Sequence, residues 1–282
     1  MIPNQIKTVL LLGILTGLLL VIGQVIGGTT GLTVAFIFAI AMNIGSFLFS
    51  HKMVLAIYKA KEIPSGQKQW LHEMVAEIAR TAQIPKPKLY RVPSSNANAF
   101  ASGPTPRKAV VAVTDGILQL LSKEELKGVI AHEIAHIKNR DMLISTIAAT
   151  IAAVISYVAF MARFAAIFGG MNRDGDSGNI VELLALAIIA PITAMIIQLA
   201  ISRSREYIAD ETGARLIHNP MPLAHALKKL ETHSKSHPMR FGGEHSAHLF
   251  LINPFKNIRF LSLFKTHPDV NSRIERLKGL AI

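Results

Sequence analysis

The 282-residue sequence contains no cysteine. Disulfides are excluded, and so is every zinc site built on thiolate; a metal would have to be held by His, Asp or Glu. Acidic residues are scarce as well: 18 Asp and Glu stand against 30 Lys and Arg, a formal net charge of +12. A balance this basic raises nucleic acid as a partner, but no nucleic-acid motif accompanies it. The charge is read instead as a solvated face lying against anionic lipid headgroups. Internal repeats and low-complexity tracts are also absent.

Charge is missing altogether from four stretches, at 9–26, 32–49, 142–161 and 183–201. Each is about 18 to 20 residues long, which at about 1.5 Å per residue approaches the roughly 30 Å of bilayer hydrocarbon. Four membrane helices in two hairpins are expected. The competing reading of the first run is a cleaved signal peptide. It lacks an A-x-A-like exit, and a second apolar run follows almost at once. Pro191 lies in the fourth run and predicts a kink there.

Positive charges orient these runs. Lys7 precedes the first, and His51, Lys52, Lys59 and Lys61 follow the second. Lys138 and Arg140 precede the third, and Arg203 and Arg205 follow the fourth. The connection GGTTG at 27–31 is uncharged, whereas the other connection sets Arg163 and Arg173 against Asp174 and Asp176. Lys and Arg near a membrane favour the cytoplasm, so both termini and the stretch between the hairpins are expected on that side. The expected organisation is a membrane hairpin at 1–50, a cytoplasmic part at 51–141, a second hairpin at 142–201 and a second cytoplasmic part at 202–282.

Between the hairpins, Ser65 and Gly66 are expected to open a helix with the apolar stripe Trp70, Leu71, Met74, Val75 and Ile78, ended by Pro85 and Pro87. KLYRV at 88–92 alternates like a strand, and KAVVAV at 108–113 is a second strand candidate. SSNANAFASG at 94–103 is small and polar around one Phe. Thr114 is expected to cap a short helix at 115–121. Ser122 and Glu125 have the spacing of a capping box, so a longer helix starts near Lys123 and runs almost directly into the third apolar run.

That helix carries GVIAHEIAHIKNRD, residues 128–141. His132 and His136 are four apart and share one face, so two imidazoles can point at one atom. Glu133, at the edge of that face, can reach a water on the metal without ligating the metal. This is the physical content of H-E-x-x-H. Zinc accepts imidazole nitrogen and carboxylate oxygen and keeps one position for water, which it activates. Glu133 would take the water's proton and pass it to the leaving amine. The competing reading is a pair of core histidines. A catalytic zinc needs a third ligand, which without Cys must be His or a carboxylate. SRSREYIADETGARL at 202–216 supplies Glu206 and Asp210, four apart on one helical face. Glu206 can ligate; Asp210 can accept a hydrogen bond from a ligand imidazole and fix its tautomer. Such a pair alone is ordinarily a solvated face. It gains weight because it and H-E-x-x-H flank the same apolar hairpin.

AHEIAHIKNRD, then SREYIAD, then THPDVNSRIERL together resemble the HtpX family of bacterial membrane zinc metalloproteases, relatives of the type I prenyl-CAAX proteases. The resemblance spans nearly the whole chain. It implies a mainly helical α+β membrane protein whose gluzincin-like domain faces the cytoplasm. It also implies one zinc per chain on His132, His136 and Glu206, with Glu133 as base. The implied task is endoproteolysis of damaged, misassembled or unfolded polypeptides at the bacterial inner membrane. NAFASG at 98–103 resembles the family's edge strand, so Asn98, Ala99 and Phe100 are expected to hold an extended peptide through backbone hydrogen bonds; the alternative is a loop with a core Phe. In THPDVNSRI at 266–274, either His267 or Arg273 could steady the oxyanion. Alternatively Pro268 opens a helix at its first position and Arg273 packs against it. His245 and His248 read as structural residues of a loop. Two other functions remain in view. Prenyl-protein processing in that relative's style calls for more membrane helices than four. A noncatalytic metal-binding scaffold would have no use for Glu133.

Overall fold

The computed structural model describes residues 54–169, 177–236 and 268–282, with isolated positions between 6 and 52. The chain divides into two units, one of Met1–Ser46 with Ile144–Ser204, the other of Phe47–Leu143 with Arg205–Ile282. The second unit is α+β.

Strand β1 is only Lys61–Glu62, too short for a sequence pattern to reveal. Helix α1, Gln69–Thr81, begins four residues later than Ser65 and Gly66 imply. The amide of Gln67 closes a turn on Pro64, and Lys68 adopts φ 48°, so the helical ladder cannot start before it. The apolar stripe is as expected: Leu71, Val75 and Ile78 are buried, with Trp70 and Met74 packed beside them.

Strands β2 (Lys88–Val92), β3 (Ala99–Ser102) and β4 (Val110–Thr114) complete a sheet of order β1-β2-β4-β3. β2 and β4 are parallel, and β3 runs antiparallel to β4 at the edge. All five β4 residues are buried, which is why its sequence is continuously apolar rather than alternating. The polar stretch before Ala99 therefore leads into a true edge strand, not a loop. Phe100 is nevertheless a core residue, packed with Val92 and Ala112 and tilted against Tyr58 at 5.7 Å.

Thr114 caps helix α2, Asp115–Leu120, by accepting from the Ile117 amide at 3.2 Å. Ser122 and Glu125 form both halves of the capping box for α3, Lys123–Lys138. α3 is buried nearly all round, with Leu126, Val129, Ile130 and Ile134 at its centre. Helix α4 is Asp141–Gly169, and α5 is Ser177–Leu216 with Pro191 inside it. Helix α6, Met221–Ser236, packs Leu223, Leu227 and Leu230 into the core shared with α3. At their closest approach, a Cβ on Gly128 would meet the Leu223 amide nitrogen at 2.4 Å. Helix α7, Val270–Lys278, is capped by Asp269, which accepts from the Ser272 amide at 3.2 Å. Pro268 thus precedes the cap instead of occupying the first helical position; Asp269 has a side-chain acceptor for the exposed amides and Pro268 has none.

In the other unit, Ala148, Ala152 and Ile155 pack with Ala190, Ala194 and Ile201. Small residues permit such close helix contact. Within α5, Ala187–Leu216 is the one helix among the described residues long and apolar enough to cross a membrane. The third apolar run lies inside α4. The first two apolar runs lie outside the described residues apart from isolated positions, and His245, His248 and His267 lie outside them entirely.

Candidate metal centre

Helices α3 and α5 carry the candidate ligands to one point. On α3, His132 and His136 stand one turn apart on a single face because they are four residues apart. Their Nε2 atoms approach to 3.0 Å, with the rings nearly perpendicular at 85°. Glu206 of α5 reaches the same point: Oε1 lies 3.5 Å from His136 Nε2, and Oε2 lies 3.6 Å from His132 Nε2. All three residues can offer atoms within 4.8 Å of one another. A tetrahedral zinc with bonds of about 2.0–2.1 Å separates its ligand atoms by about 3.3 Å, so the spacing fits. What brings the two helices so close is Gly213, where a Cβ would meet the His132 amide nitrogen at 2.9 Å.

The tautomers follow from the partners behind each ring. His132 Nδ1 faces Asp210 Oδ1 at 3.0 Å, and His136 Nδ1 faces Asp141 Oδ2 at 2.6 Å. With a proton on each Nδ1, both Nε2 lone pairs point at the shared spot beside a carboxylate. The 3.0 Å between the two Nε2 atoms is held by one positive charge shared there, a proton on His132 or a metal ion in its place. The electrostatics of His132 agree. Burial opposes its protonation, but hydrogen bonding with Asp210 and Glu206 outweighs this and brings its pKa up to about 9. Burial and the neighbouring charge of His132 push His136 down. Asp210 and Glu206 thus favour positive charge at this point.

Glu133 is buried and sits beside the ligand face. Burial raises its pKa, and the adjacent histidines pull the other way. Its Oε2 accepts a 2.7 Å hydrogen bond from the amide of Ala101 on β3. That bond tells the direction of the strand's outer edge. Asn98 pairs inward, its carbonyl accepting from the Thr114 amide at 3.0 Å and its own amide donating to Thr114 Oγ1 at 2.9 Å. Alternation then turns Ala99 and Ala101 outward and Asn98 and Phe100 toward β4.

Arg273 of α7 is fully buried. Its Nε donates to Asp210 Oδ2 at 2.8 Å and its Nη2 to Asp210 Oδ1 at 2.7 Å. Nη1 lies 3.1 Å from Glu206 Oε2. Burial works against its charge, but Asp210 and Glu206 more than restore it. Three residues of the site carry no signal in the spacing rules. Asp141 reaches His136 only because the chain turns at Arg140, which has φ 56°. Arg205 holds Asp141, and Ala101 acts through its backbone.

The family model for peptidase family M48 matches residues 65–281, and the chain belongs to peptidase family M48. Its relatives include proteins named protease HtpX homolog. That of Persephonella marina is 55% identical over 283 residues, covering 99% of this chain and 98% of its own. That of Aquifex aeolicus is 52% identical over 270 residues, covering 94% of this chain and 89% of its own. The crystal structure of S. mikatae Ste24p is similar in fold, with a TM-score of 0.63 at 19% identity; the match covers 97% of this chain and 65% of that one.

Proposed function

We propose that this protein is a zinc-dependent endopeptidase of the bacterial inner membrane that cleaves damaged or unfolded membrane proteins on the cytoplasmic side. The observation carrying this reading is the convergence of His132, His136 and Glu206, with Glu133 one residue from a ligand and off the ligand set. In that role His132, His136 and Glu206 would hold one zinc, which would supply Lewis-acid activation of water. Glu133 takes the water's proton and later gives it to the leaving amine. The Ala101 amide fixes one carboxylate oxygen of Glu133 and so aims the other. The outward edge of β3 takes an extended peptide as an added strand through the backbone of Ala99 and the carbonyl of Ala101, whose amide is held by Glu133. Arg273 and the His267 segment are the candidates for steadying the oxyanion, and Asp210 orients His132.

A membrane setting is supported by the four uncharged runs and by α5. On that helix Ile188 is 55% exposed and Ile189 61%, with Ile192 and Ile196 beside them at 45% each. An apolar stripe of this kind is at home in lipid. The Lys and Arg asymmetry supports the cytoplasmic orientation of the site. Purified protein in detergent, assayed for degradation of a model membrane protein with zinc and after chelation, tests the reading. Zinc-dependent cleavage is expected; cleavage unaffected by complete metal removal would refute it.

A further inference from the structure

We infer that Asp141, clamped by Arg205, is a positioning residue that fixes the tautomer of His136 and thereby sets the affinity of the metal site. The inference rests on the zinc reading above. Asp141 is buried and divides its two oxygens between two tasks. Oδ2 meets His136 Nδ1 at 2.6 Å. Oδ1 accepts from Arg205 Nε at 2.5 Å and also from Arg205 Nη2. Nη2 further donates to the carbonyl of Asn139 at 3.2 Å, at the C-terminal end of α3. Arg205 therefore ties Asp141 to the end of the helix that carries both histidines. Asn139 adds a second tie to α5, donating from Nδ2 to Thr212 Oγ1 at 3.3 Å.

This arrangement repeats, on the other histidine, what Asp210 and Arg273 do for His132. Each imidazole has a carboxylate behind Nδ1, and each carboxylate has a buried arginine behind it. The arginine has a specific consequence at Asp141. It presents only donors, so the atom it touches must be an acceptor. The remaining atom is then the one that instructs His136. As a carboxylate oxygen it accepts from Nδ1, which leaves the Nε2 lone pair for the metal. In Asp141→Asn the side-chain oxygen is claimed by Arg205, and the amide nitrogen turns to His136. An amide nitrogen donates. His136 Nδ1 must then accept, its proton moves to Nε2, and the metal-binding lone pair is lost.

The tautomer mechanism therefore predicts an order that a packing role does not. Asp141→Asn, nearly isosteric, should bind zinc no better than Asp141→Ala, whereas a residue that only fills space tolerates Asn best. The measurement is zinc affinity by chelator competition on the full-length protein in detergent. Both variants should bind about 10- to 100-fold more weakly than the unaltered protein. Ser122→Ala, which weakens the cap of the same helix away from the ligands, should lower the melting temperature without shifting zinc affinity. Wild-type affinity in Asp141→Asn, or clearly tighter binding by Asn than by Ala, would overturn the inference. Should neither variant fold, Arg205→Lys keeps the charge but removes the fork, and several-fold weaker binding is expected; unchanged affinity there overturns it equally. If the unaltered protein binds no zinc, the metal reading itself fails, and this inference with it.

Discussion

Arg273 and Asp210 form a two-pronged ion pair with no part of the arginine exposed: Nε meets Oδ2 at 2.8 Å and Nη2 meets Oδ1 at 2.7 Å. Glu206, 3.1 Å from Nη1, makes the arginine the shared counter-ion of a candidate ligand and of the carboxylate behind His132. Without it, two buried carboxylates would lose their shared cation.

Arg273→Met should therefore destabilise the zinc-free protein by about 3–5 kcal/mol, the usual cost of stranding buried charge. Thermal unfolding in detergent, read with and without zinc, measures this. Because zinc restores positive charge beside Glu206, it should stabilise the variant more than the unaltered protein. A loss below about 1 kcal/mol would mean that the pair carries little of the site's electrostatics.

Gly213 sets the distance between the ligand helices. A Cβ there would lie 2.9 Å from the His132 amide nitrogen and 3.0 Å from the Ala131 carbonyl carbon, both backbone atoms that cannot rotate away. Gly213→Ala should push α5 off α3, costing about 1–3 kcal/mol by overpacking and carrying Glu206 and Asp210 away from His132. Zinc affinity and melting temperature should fall together. Retention of both would mean that the helices can separate without disturbing the ligands.

Much of the site was legible because it obeys local rules. The Ser122–Glu125 box and the Thr114 cap were readable from spacing alone, and so was the shared face of His132 and His136. Glu206 and Asp210 were readable as a pair four apart. Asp141 was not, since its contact with His136 crosses a turn that no periodicity describes. Ala101 acts through an amide every residue has, so only the strand register exposes it. Helix α6 is different: Leu223, Leu227 and Leu230 stand at helical spacing, and the signal was present though the polar residues between them obscured it. The late start of α1 depends on the left-handed conformation of Lys68, which lysine composition does not announce.

The positive charges flanking the apolar runs predict topology independently of the site. Reporter fusions after residues 60, 140 and 282 should all register as cytoplasmic, and one near Gly175 as external. Protease cleavage within residues 60–140 in intact spheroplasts would overturn this orientation, and with it the assignment of substrates to the cytoplasmic side.

The central claim is that Glu133 moves a proton while His132, His136 and Glu206 hold the metal, and one paired measurement tests it most directly. Zinc content and cleavage rate should be determined side by side for Glu133→Gln and Glu206→Gln. Glu133→Gln preserves the ligands and nearly preserves the shape, so zinc should stay bound while cleavage falls by at least the roughly 10²–10⁴-fold credited to general-base catalysis. Glu206→Gln should lose metal as well as activity. A Glu133→Gln protein that retained zinc and still cleaved a model membrane substrate at the wild-type rate would contradict the mechanism.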